Sequence, residues 1–126
     1  IFADDEAGIA AHAKTLRSTL PGANWREGAA ISGVRPNERV TAAVAEAFAA
    51  SGRDFVGNPP ALPFATDFGN VSQVVPAALI GIGRPGGWKF HTDEGAREFA
   101  GPAGEEVALG IAKVMTLAAT RLSEPG

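Results

Sequence analysis

Two short runs carry the side chains in this sequence that could do chemistry. The first is Thr66-Asp67-Phe68-Gly69-Asn70-Val71-Ser72, which gathers a carboxylate, an amide and two hydroxyls ahead of an apolar stretch. Groups of this kind can orient a ligand at the edge of a strand. They also form Asx-turns and helix caps, in which the side chain bonds its own backbone. The second run is His91-Thr92-Asp93-Glu94. An imidazole with two carboxylates close by can ligate a divalent metal or act as an acid–base pair; in a polar loop it can equally be a solvated side chain. His12, between Ala11 and Ala13, reads as a surface or interface residue. Arg35 and Arg84 read as solvated arginines. A third run, Gly81-Ile82-Gly83-Arg84-Pro85-Gly86, spells G-x-G-x-x-G. A dinucleotide fingerprint needs those glycines to open a helix whose N–H groups hold pyrophosphate. Pro85, Gly86, Gly87 and Trp88 follow instead, so this run reads as a flexible exit from a strand into a loop.

Composition limits what these groups can serve. A chain of 126 residues is one ordinary domain's worth, and 45% hydrophobic against 20% charged residues is enough for a packed core. A formal charge of -3 argues against a strongly basic nucleic-acid binder. No window approaches the roughly 18 uncharged apolar residues of a membrane span. The absence of cysteine excludes disulfides, Cys-type zinc fingers and a thiol nucleophile, and it fits a cytoplasmic setting. Two histidines are too few for a His-rich metal site built from this chain alone. The opening Ile1-Phe2-Ala3 carries neither Met nor a signal segment, and the chain is expected to be the C-terminal piece of a longer protein.

The elements that must position the two runs follow from periodicity. Ile9, Ala13, Leu16 and Leu20 step by four, three and four, which predicts a helix from about Asp5 to Leu20, ended by Pro21-Gly22. A strand is expected over Trp25 to Val34, broken by Arg35-Pro36-Asn37. Asn37 and Glu38 then open a second helix, which runs to about Ala50, with Gly52 as its stop. Gly57 to Pro63 reads as a loop. Val74 to Ile82 reads as a buried strand with Pro76 near its start. Pro102 suits the first position of a last helix, whose stripe is Val107, Ile111, Val114, Ala118 and Leu122. Helices alternating with strands predict an α/β arrangement.

The run Thr66 to Pro76, followed some fifteen residues later by His91-Thr92 and an Ala-rich terminal helix, resembles the C-terminal portion of the zinc aminoacylase/carboxypeptidase family. Its amidohydrolase branch, which includes aminobenzoyl-glutamate hydrolases, carries Ser-Thr-Asp-Met-Gly-Asn-Val-Ser and a later His-Thr-Pro-Glu-Phe. Here Ala65 stands for the Ser and Phe68 for the Met, and Thr92-Asp93-Glu94 replaces Thr-Pro-Glu. Phe99 would match the last Phe only across an insertion.

The resemblance implies an α/β fold: the C-terminal part of a di-zinc exopeptidase-type catalytic domain, preceded by the tail of an inserted α+β dimerisation (lid) domain. Residues 1–35 would be that tail and 36–126 the closing catalytic segment. It implies His91 as a metal ligand and places Thr66, Asp67, Gly69 and Asn70 on the substrate side, with no catalytic residue in this chain. The complete enzyme would hold two divalent metal ions, expected to be zinc, act on a small amide or dipeptide, and form a homodimer; in it Arg35 and Arg84 could pair with a substrate carboxylate. This chain alone is expected to hold no metal tightly, to hydrolyse nothing, and to be marginal or oligomeric because apolar faces are left uncovered. The alternatives are a non-enzymatic binding or oligomerisation module and a small nucleotide-binding α/β domain.

Overall fold

A computed structural model describes residues 5–57, 66–83 and 86–124. Five helices account for its regular structure: α1 (Glu6–Thr19), α2 (Glu38–Ala50), α3 (Phe68–Ser72), α4 (Asp93–Phe99) and α5 (Pro102–Ser123). No strand occurs among the described residues, so the expected α/β class is wrong and the chain is helical.

The reason lies in where backbone groups find partners. A strand exists only when a neighbour pairs with it. Among the described residues, neither the Trp25–Val34 stretch nor the Val74–Ile82 run is paired into a ladder; in the latter, the Ala77 carbonyl accepts a single bond from the Asn37 N–H at 2.9 Å. The N–H groups of Val74 and Val75 turn back to the Val71 carbonyl, 3.1 Å away in each case. Val74 is 80% exposed, so the start of the run is not the buried strand that its apolar composition predicts. The loop reading of Gly57 to Pro63 falls mostly outside the described residues.

The helix ends follow local chemistry. The Asp5 carboxylate accepts from the Gly8 N–H at 2.7 Å and caps α1. Gly52 at φ 75 takes the left-handed conformation that stops α2. Pro102 stands in the first turn of α5, where its missing N–H is no loss.

The chain forms two compact units. One comprises Ile1–Asn37 with Asn58–Ala78, the other Glu38–Gly57 with Leu79–Gly126. The second unit contains the apolar core. Ala43, Val44, Ala47 and Phe48 of α2 are buried with Val114 and Ala118 of α5, while Ile80, Ile82, Leu117 and Leu122 pack around them. The predicted α5 stripe therefore does face a core. Small side chains at 47 and 118 let the two helices approach, and the Phe55 ring tilts onto Phe48 at 5.7 Å. At the ends of this pair, Arg121 meets Glu46 at 2.8 Å and Arg39 donates to the Leu122 carbonyl at 3.1 Å.

Among the described residues of the first unit there is no such core. Helix α1 buries none of its residues, and the buried positions contributed by α3 are Gly69 and Ser72. What holds α3 to the chain around Ser32 is polar.

Candidate functional site

Helix α3 lies within the Thr66–Ser72 run, and its side chains read the backbone of residues 30–35. The Asn70 amide makes two bonds: Oδ1 accepts from the Ser32 N–H at 2.8 Å, and Nδ2 donates to the Ala30 carbonyl at 3.4 Å. Gln73 Nε2 donates to the Gly33 carbonyl at 2.8 Å. The Arg35 N–H donates to Ser72 Oγ at 2.9 Å, and that hydroxyl donates in turn to the Gly69 carbonyl at 2.7 Å. Ser72 is only 6% exposed, so its hydroxyl must be satisfied within the protein, and both bonds do this. Gly69 is required by contact: a side-chain carbon there would overlap the Ser32 carbonyl oxygen. None of these bonds uses a side chain from residues 30–35.

The four residues assigned to the substrate side thus divide. Asn70 has both ends of its amide engaged by the chain itself, and Gly69 serves as the point of closest approach. The Thr66 hydroxyl accepts from the Phe68 N–H at 3.3 Å. Asp67 is exposed and lies 3.5 Å from that hydroxyl. Thr66 is half-buried and its hydroxyl is engaged by Phe68 and Asp67, while the Asp67 side chain is exposed. Arg35–Asn37 and Ser72–Pro76 border an open hollow of about 240 Å³, which neither Thr66 nor Asp67 lines. That volume is below the roughly 300 Å³ at which small-molecule pockets begin.

His91 belongs to the second unit, whereas Thr66, Asp67, Gly69 and Asn70 belong to the first. The His91 side chain is exposed, and its backbone sits at φ 60, the one non-glycine residue at positive φ among those described. The sequence places it in a polar loop; the structure shows that the loop ends in a helix. Thr92 Oγ1 accepts from the Gly95 N–H at 3.0 Å, capping α4, and donates to the Lys89 carbonyl at 2.8 Å. Asp93 and Glu94 occupy the first turn of α4, where carboxylates favour the helix dipole, and Glu94 pairs with Lys89. Both carboxylates are thereby accounted for as helix-forming residues.

A catalytic zinc normally takes three protein ligands and a water. Among the described residues no group of three His, Cys, Asp or Glu side chains is placed to hold a metal ion. The described residues do not make a complete metal centre, and their two imidazoles, His12 and His91, belong to different units. His12, on α1, is exposed.

Two of the G-x-G-x-x-G positions, Arg84 and Pro85, lie outside the described residues, which leaves the pairing suggested for Arg84 there as well. No helix starts at Gly86 or Gly87, which take φ 82 and 72. The residues that sequence reasoning missed are Ser72 and Gln73 as backbone readers, and Thr92 as a cap. A Thr three positions before a small residue with two acids between them was the available signal for the cap. Comparison with family profiles, with curated proteins and with solved structures finds no match to this chain.

Proposed function

We propose that this chain is a non-catalytic portion of a metal-dependent amidohydrolase or peptidase that cleaves N-acyl or aminoacyl amides. In this reading it supplies the His91 imidazole and the Thr66–Asp67 pair, of which Asp67 is exposed. Asn70 holds the neighbouring backbone and does not touch substrate. The observation that carries the reading is the order of the two chemical runs, Thr66 to Pro76 and then His91-Thr92. Their exposed imidazole and exposed carboxylate add to it. The metals, zinc in the expected case, and the homodimer belong to the complete enzyme. The resemblance assigns this chain one metal ligand, His91, where a catalytic centre needs several, so the other ligands would come from the rest of the complete enzyme.

Three experiments test the proposal. The coding sequence upstream of Ile1 is expected to contain a His-x-Asp run and a Glu-Glu pair. The longer product is expected to hydrolyse an N-acyl amino acid only with a divalent metal, and to lose that activity in His91→Ala. An upstream sequence without those motifs, or full activity in His91→Ala, overturns the reading. So does tight stoichiometric zinc binding with amidase activity in the present chain, measured by calorimetry and product release.

A second reading, an interaction module, is favoured by one observation. Leu109 and Met115 of α5 are 66% and 55% exposed, and α1 buries nothing. Size-exclusion chromatography separates the outcomes: concentration-dependent association supports it, and a monomer at all concentrations counts against it.

A further inference from the structure

The loop that carries His91 is gripped from three sides. Trp88 Nε1 donates to the Ile82 carbonyl at 2.8 Å, which anchors the start of the loop. The Phe99 ring, at the end of α4, stacks on Trp88 at 4.6 Å and on Phe90 at 5.7 Å. Gly95 has no side chain because the Lys89 carbonyl occupies the space. Thr92 closes the turn by bonding both Lys89 and Gly95. Between these fixed points residue 91 takes a left-handed conformation, φ 60. Non-glycine residues adopt it uncommonly, although His is among the more tolerant, and β-branched residues adopt it only under strain. Strain of this kind persists only where the surroundings over-determine it, and such sites cluster where function needs a side chain held in place.

We infer that Phe99, with Gly95 and Thr92, forms a rigid platform that locks residue 91 in the left-handed conformation and so presents the His91 imidazole in a fixed direction. These are positioning residues: they act through His91 and touch no substrate. The inference deepens the hydrolase reading and rests on it only for the use to which the imidazole is put.

The test is a thermodynamic cycle on the present chain, without metal or substrate. In the parent background, His91→Gly is expected to melt higher than His91→Val by about 5 °C or more, because glycine accepts the left-handed conformation and valine does not. In a Phe99→Ala background that gap is expected to shrink to less than half, since residue 91 is then free to leave the conformation. Phe99→Tyr is expected to restore it. Phe90→Leu, which removes one ring from the stack, takes the place of Phe99→Ala should the latter fail to give a cooperative transition. A gap unchanged by loss of the ring overturns the platform, because a ring that merely stabilises α4 lowers both melting points equally. That failure leaves the hydrolase reading standing. Conversely, a closed cycle alongside an inactive longer chain removes the hydrolase reading alone.

Discussion

The two units of this chain solve the same problem with opposite means. In the second, α2 and α5 are joined by apolar contact: Ala47 and Val114 are fully buried, and Phe48 and Ala118 nearly so. In the first, α3 is joined to residues 30–35 by amide and hydroxyl groups that bond backbone. Apolar burial is non-directional and grows with the area removed from water. Backbone reading is directional, modest in net energy, and intolerant of a misplaced atom. The difference teaches that one unit should respond to mutations by volume and the other by geometry.

The largest expected effect tests the apolar side. Val114→Asp buries a carboxylate with no partner and should cost about 4 kcal/mol or more, enough to remove the cooperative melt of α2 and α5 seen by circular dichroism. Next is Gly69→Ala, which adds a single methyl yet should cost about 3 kcal/mol, because the methyl meets the Ser32 carbonyl rather than space. Amide exchange at Ser32 and Arg35 should speed up together. A near-neutral result would show that the first unit is as forgiving as a surface loop, and the contrast would fail.

Asn70→Ala sharpens the same side. Losing the two bonds to Ala30 and Ser32 should cost about 1–2 kcal/mol and raise exchange at Ser32 more than at Arg35, whose partner Ser72 remains. The smallest expected change is Glu46→Gln. Its ion pair with Arg121 is solvent-exposed, so the shift should stay below about 0.5 kcal/mol and shrink further in salt. An equal loss from Asn70→Ala and Glu46→Gln would remove the claim that the polar contacts in the first unit differ from ordinary surface pairs.

How much of this was legible in the sequence depends on whether the signal was local. The three longer helices were, because Asp5, Gly52 and Pro102 are end signals and the α5 stripe repeats cleanly. Helix α4 was hidden by its own cap: Thr92, Asp93 and Glu94 look like ligands when they stand beside a histidine, and like a first turn only once Gly95 is seen bonding back. The two strands failed for a non-local reason. Apolar or alternating composition states that a segment can pair, and the partner must come from elsewhere. For the candidate site, the sequence singled out Thr66–Asn70 as a polar stretch, and the structure shows that Asn70 and Gly69 contact the backbone of residues 30–33. The sequence could not show that Asn70 spends both amide ends on residues 30 and 32, because those residues are separated from it by 38 to 40 positions.

That separation has a consequence for the order of events. Bringing together two stretches 37 to 40 residues apart carries an entropic penalty of roughly 3 kcal/mol. The four side-chain bonds from Asn70, Gln73 and Ser72 to residues 30–35 return about 1 kcal/mol apiece. The surplus is slim, so this grip should be late to form as the chain collapses and early to let go on warming, well before the α2–α5 pair parts.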